Sequence, residues 1–248
     1  MFKKSAFSIL AILALLSATG ALEAQPGQSG GQGRGAQGQG RPNQGRWIFD
    51  DSNLDKPPLA ADPDEEKILK LLGEMAQADS SNLLVPLADG RLLRMLAEST
   101  GAKNVVEVGT YVGYSTMWFC LALRHTGGRV TTFELNPQNA AQARENFKKA
   151  GVENLVTIVE GDAHETVTRL KEPIDILFID ADKPGYADYF KKLLPLVRPG
   201  GLILAHNTTN SGRQLSDYFT TTTTDPNLDS IFLNQQSIGI GITLKKRR

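Results

Sequence analysis

The 248-residue sequence is short of several things, and each shortage excludes something. Cys120 is its only cysteine, so no disulfide can form within the chain. Its 27 lysines and arginines are matched by 27 aspartates and glutamates. A formal net charge of zero leaves no broad electrostatic footprint for nucleic acid or another polyanion. The N-terminal apolar run, Ala6 to Leu16, is short for a membrane span of about 20 residues. No cysteine follows that run to carry a lipid anchor. Gln25 to Arg46 is nearly all Gly, Gln and Arg, with no apolar periodicity, and cannot build a core.

What is present at the N-terminus has the layout of a secretory signal: Lys3 and Lys4, the apolar run, then small residues up to Ala24. Leu22 fits the −3 position of a cut after Ala24 poorly. The reading is a signal peptide over residues 1–24, a disordered linker over 25–62 and a folded domain over 63–248. The chain is then exported, to a periplasm or beyond, with no stable span once the signal is cut. An uncleaved anchor is the alternative and also leaves the remainder outside the cytoplasm.

The organising stretch is Val105 to Ser115, VVEVGTYVGYS. An apolar run ends in a carboxylate and two glycines and opens into an amphipathic segment, which describes a buried strand, a tight turn and a helix N-terminus. Gly109 and Gly113 are spaced GxxxG, and no third glycine completes the dinucleotide fingerprint. Glu107, beside the turn, suits a ligand that carries positive charge. Before this stretch, helical spacing is read over Asp64–Ala78 and Asp89–Thr100, with Leu83–Pro86 extended between them. After it, strands at 129–134, 155–159, 174–179 and 202–205 alternate with helices at 115–124, 137–150, 163–170 and 186–196. A helix from Gly212 to Phe219 fades into a threonine run that favours neither state. Ser230–Leu233 and Ser237–Leu244 close the chain as an antiparallel pair. This is an α/β fold: a doubly wound, mostly parallel sheet with helices on both faces. Its ligands belong at the strand C-termini.

Five consecutive strand ends carry polar groups: Glu107 with Gly109; Glu134; Asp162; Asp180 with Asp182 and Lys183; and His206 with Asn207. An acid in the place of Glu134 accepts hydrogen bonds from ribose hydroxyls in this fold class. The motifs EVGTYVGYS, FELNP, EGDA, FIDADK and LVRPGGLILA, in that order, resemble the cation-dependent O-methyltransferases, the catechol and caffeoyl-CoA enzymes and their bacterial relatives. The likeness runs from about Leu83 to Gly212 and takes in the final strand. It implies a Rossmann-like methyltransferase sheet, S-adenosylmethionine as methyl donor and a small phenolic acceptor, in this family usually a vicinal diol on an aromatic ring. A homodimer is compatible with it. Carried over position by position, it implies that Glu107 and Gly109 hold the methionine part of the donor. Val85, Thr110, Tyr111 and Ser115 would line the same pocket, Glu134 would take the ribose, and Asp162 and Ala163 would border the adenine. Asp180 and Asn207 would be metal ligands, and Lys183 would be the general base. No Asn/Asp-Pro-Pro-Tyr-type motif follows the strand that ends at Ile179, against a nucleic-acid methyltransferase.

One position departs from the resemblance. Where the family pattern reads Ala-Asp-Asn, this chain has Ala205-His206-Asn207. Magnesium prefers oxygen ligands, whereas imidazole suits transition metals such as manganese. Three outcomes follow: Asp180, His206 and Asn207 bind a transition metal, they bind Mg²⁺ weakly, or the metal is lost and His206 acts as the base. The altered site, with a methyl donor that is made in the cytosol, also supports a reading from another class, a cofactor-binding sensor without turnover.

Overall fold

The computed structural model describes residues 57–209, 213–233 and 238–247. The expected signal peptide and most of the expected linker lie outside the described residues. So do the expected helix start at Gly212 and the expected strand start at Ser237.

Two helices lead in, α1 (Pro63–Ala78) and α2 (Leu87–Ser99). Asp62 caps α1 by accepting from the Glu65 amide, and its other bond, from Arg124 at 2.8 Å, ties the lead-in to the domain. The alternation then runs β1 (Asn104–Val108), α3 (Tyr114–Thr126), β2 (Arg129–Glu134), α4 (Pro137–Ala150), β3 (Val156–Glu160), α5 (Ala163–Thr166), β4 (Ile174–Ile179), α6 (Tyr186–Leu193) and β5 (Val197–His206). It closes with α7 (Ser216–Thr224), β6 (Leu228–Leu233) and β7 (Ile240–Lys245). The sheet order is β3-β2-β1-β4-β5-β7-β6, parallel except where β7 pairs antiparallel with β5 and β6. The order reverses between β1 and β4, which is where a doubly wound sheet binds its ligand.

The period of two along each strand divides the core. Val105, Val130, Ile176 and Leu204 face α1 to α4, whereas Val106, Leu177, Ile179 and Ile203 face α6 and α7. Trp118 and Phe119 fill the first side, Tyr186, Phe190 and Tyr218 the second, all fully buried. Truncating any one of these to alanine removes about 3–5 kcal/mol.

Most expected boundaries agree with the structure, and the differences have local causes. The threonine run is helical throughout α7. The hydroxyls of Thr220 to Thr224 each donate to the carbonyl four residues back, and buried Tyr218 pins the helix to the sheet. Packing outweighs the weak propensity of threonine. β5 begins at Val197 rather than Leu202, because Pro199-Gly200-Gly201 is absorbed as an irregularity in its pairing with β4. The helix expected over 163–170 is one α-turn followed by a 3-10 turn, Val167–Arg169.

Candidate active site

The donor side is built on the ends of β1, β2 and β3. Glu107 is fully buried. The Ser115 hydroxyl donates to its Oε1 at 2.5 Å, and the Thr116 hydroxyl donates to the other oxygen. Burial pushes the carboxyl up to about 7 against the pull of these hydroxyls, and the charge of Asp180 adds to the rise. Gly109 follows with φ +105°, and a Cβ there would sit 2.1 Å from the Asp180 carbonyl oxygen. The close approach needed here is therefore to the end of β4, whose Asp180 amide donates to the Val108 carbonyl at 2.9 Å. Gly113 is required by the ring of Phe147, 2.4 Å from where its Cβ would lie. Glu134 at the end of β2 accepts from the Tyr111 amide at 2.7 Å and the Asn136 amide at 2.9 Å, fastening the first turn to the second. Asp162 caps α5 through the His164 amide at 2.8 Å. The His164 ring stacks on Tyr189 and bonds Asp188 at 2.6 Å. That bond raises its pKa.

The acceptor side lies at the ends of β4 and β5. His206 is 2% exposed, and both of its ring nitrogens face carboxylates: Nδ1 is 3.2 Å from Asp180 Oδ2 and Nε2 is 3.0 Å from Asp89 Oδ2. Burial acts to lower the imidazole pKa, but the charge of Asp180 and the bonds to Asp180 and Asp89 outweigh it and push it up to about 9. For Asp180, burial favours the acid, and His206 and Lys183 overcome it, leaving the carboxyl below its usual range. Lys183 Nζ donates to Asp180 Oδ1 at 3.2 Å, to the Ala181 carbonyl at 3.0 Å and to the Tyr186 hydroxyl at 2.9 Å. The Tyr186 hydroxyl donates in turn to the His206 carbonyl at 3.1 Å. Asn207 follows in the left-handed region at φ +60°.

Asp89 and Tyr186 are the site residues that sequence reasoning missed. Asp89 comes from the first turn of α2, where an anion is favoured, and is 117 positions from His206. Gly90 makes the approach work: a Cβ there would collide with the Trp118 indole, so α2 can lie against α3 only with glycine at this point. The signal for Asp89 was chemical: a buried imidazole in place of a carboxylate needs a compensating anion.

A cavity of about 630 Å³ joins the two sides. Val85, Gly109, Thr110, Tyr111, Ser115, Glu134, Asp162, Ala163, Asp180, Lys183, His206 and Asn207 all line it, as expected. Glu107 does not; it sits one layer below, behind Ser115. Leu83 and Leu135, both largely exposed, also line the cavity and give it apolar edges. Among the described His, Cys, Asp and Glu residues, one trio has ligand atoms all within 4.8 Å of one another: Asp62, Glu65 and His125. None of the three lines this cavity.

A switch-point cavity bordered by strand-end carboxylates, with a glycine-bearing turn beneath it, is the nucleotide-cofactor site of a doubly wound α/β enzyme. The O-methyltransferase family model matches residues 59–236, and the chain belongs to that family. It is 39% identical over 158 residues to a catechol O-methyltransferase of Niastella koreensis, covering 62% of this chain and 71% of that protein. It is 35% identical over 173 residues to a catechol O-methyltransferase of Mycobacterium tuberculosis, covering 67% and 74%. The structure of an O-methyltransferase from Bacillus cereus with bound S-adenosylhomocysteine superposes with a TM-score of 0.66 at 28% identity, over 73% of this chain and 91% of that one. The chain is an S-adenosylmethionine-dependent O-methyltransferase. Glu134 and Asp162 both border the cavity.

Proposed function

We propose that the enzyme methylates a hydroxyl of a small aromatic diol or phenol. The observation that carries this reading is the single cavity in which a donor side and a charged acceptor side share one floor, Gly109 against Asp180. Bound S-adenosylmethionine supplies an electrophilic methyl group on a sulfonium. The acceptor oxygen forms the O–CH₃ bond as the S–CH₃ bond breaks, the bonding pair stays on sulfur, and S-adenosylhomocysteine is left. The protein's work is to align the reactants and exclude water. Glu134 and Asp162 orient the donor. Leu83 and Leu84, before α2, and Ile238, before β7, give the acceptor an apolar wall.

The acceptor's proton has to leave for the oxygen to attack, and Lys183 is the group placed to take it. Taking that proton makes Lys183 an ammonium, and Asp180 Oδ1, the Ala181 carbonyl and the Tyr186 hydroxyl stand at 3.2, 3.0 and 2.9 Å to receive its hydrogens. The sequence favours metal assistance, with Asp180, His206 and Asn207 holding Mg²⁺ or a transition metal such as Mn²⁺. The donor set does not fit it: both ring nitrogens of His206 and both oxygens of Asp180 are committed to each other, to Asp89 and to Lys183.

The test is isothermal titration with S-adenosylhomocysteine, followed by product analysis with a panel of catechols and monophenols. Binding with methylated product supports the proposal; binding with no product on any phenol favours the sensor reading. Export is part of the same proposal, supported by Lys3, Lys4 and the apolar run that follows them. It is checked by cell fractionation and by the N-terminal sequence of the mature protein.

A further inference from the structure

We propose that this enzyme works without a divalent cation, because the His206 side chain is clamped between Asp89 and Asp180 and the atoms that would hold a metal are committed to one another and to Lys183. The inference rests on the O-methyltransfer reading above. Its first support is hydrogen-bond accounting. His206 Nε2 is hydrogen-bonded to Asp89 Oδ2 at 3.0 Å and Nδ1 lies 3.2 Å from Asp180 Oδ2, so both ring nitrogens are turned to protein carboxylates. A metal would have to displace a carboxylate to reach either nitrogen.

Occupancy is the second support. Asp180 gives Oδ2 to His206 and Oδ1 to Lys183, so the carboxylate that the resemblance makes a metal ligand spends both oxygens on protein cations.

The site is also built to keep this arrangement. Asp89 and His206 are 3% and 2% exposed, and the Tyr186 hydroxyl holds the His206 backbone. Stripping either carboxylate would leave a buried charge without its partner. Asp89 is a positioning residue that acts through His206. The arrangement bears on substrate class. A metal grips a vicinal diol through both oxygens; without one, nothing in the site calls for the second hydroxyl. Single phenols therefore enter the acceptor range beside diols.

The experiment has a binding arm and a rate arm. The full-length enzyme, stripped with chelator, is titrated with MnCl₂ and with MgCl₂ by calorimetry. It is then assayed with S-adenosylmethionine and catechol, in chelator and with each metal restored. The expected result is no cation binding at the site and an unchanged rate in chelator. Stoichiometric Mn²⁺ or Mg²⁺ binding with turnover lost in chelator overturns the proposal. The gain-of-site variant is His206→Asp. It should bind Mn²⁺ roughly tenfold or more tightly than the parent and become chelator-sensitive. A folded variant that binds no better counts against the proposal. If three neighbouring carboxylates prevent folding, Asp89→Asn with His206→Asp is the replacement, and the wild-type titration decides independently. Methylation failing under every condition, with S-adenosylhomocysteine still bound, would instead defeat the functional reading; the metal titration is still informative in that case.

Discussion

The two sides of the cavity are held together in different ways. On the donor side, each polar residue is fixed by backbone amides or by hydroxyls, most of them nearby in sequence: Glu107 by Ser115 and Thr116, Glu134 by Asn136 and by the more distant Tyr111, Asp162 by His164. On the acceptor side, charged side chains from separate elements hold one another: Asp89 from α2, Asp180 from β4, Lys183 after it and His206 from β5. Local fixing makes a template that tolerates distant change. Mutual fixing makes a network in which one loss exposes the rest. The difference teaches where each kind of mutation should be felt: donor affinity on one side, turnover and stability together on the other.

The sharpest way to break the comparison is at the residue both sides share. Gly109→Ala places a side chain at φ +105° and against the Asp180 carbonyl. A loss of about 4 kcal/mol is expected from strain and overpacking combined, read as a shift in urea unfolding. An unfolding midpoint close to the parent's would mean that the two ends are not welded. Next is Asp89→Ala, which strips one carboxylate from buried His206 and should cost about 3 kcal/mol, with turnover reduced and S-adenosylhomocysteine affinity unchanged. A parallel fall in cofactor affinity would erase the division between the sides.

A pH series tests one buried group from each side. Glu107 has a folded pKa raised from 4.5 to about 7, so the folded state holds its proton longer, and stability from this group declines as pH rises from 4.5 to 7. His206 is raised from 6.5 to about 9, so its contribution is complete below 6.5 and is lost as pH rises through 9. Asp180 and Asp62, both lowered, destabilise the fold only in acid. The melting temperature of the ligand-free enzyme should therefore peak on the acid side of neutrality and fall by pH 9. A melting temperature that climbs from pH 5 to 9 would contradict both assignments. The smallest effect is expected at Asp162→Ala, which removes a helix cap for about 1 kcal/mol and weakens cofactor binding without touching the acceptor side.

The sequence was most legible where structure is local. The pattern of apolar runs placed β2 and β4 at their observed limits, and Pro137 with Gly151 marked both ends of α4. Twelve of the thirteen expected site residues line the cavity because strand C-termini in this topology converge on one edge. What stayed hidden depends on packing. Glu107 lies below the cavity floor because the turn residues Gly109 and Thr110 cover the end of β1. Asp89 reads as an ordinary first-turn acid until Gly90 and Trp118 bring α2 down onto the sheet end. The threonine helix is invisible to propensity, because its support is Tyr218 and a ladder of side-chain hydroxyls.

The contact between Gly109 and Asp180 also has a mechanical meaning. The Asp180 amide bonds the Val108 carbonyl, and the missing Cβ lets the two strand ends touch. A load applied to the turn under the donor passes directly into Asp180, and from there through His206 to Asp89 and α2. The floor of the cavity is a continuous run of contacts from the turn under the donor to α2. Shape change on ligand entry is thereby left to the walls, the stretch around Leu83 and Leu84 and the approach to β7, so differences in acceptor size should be written there and not in the floor.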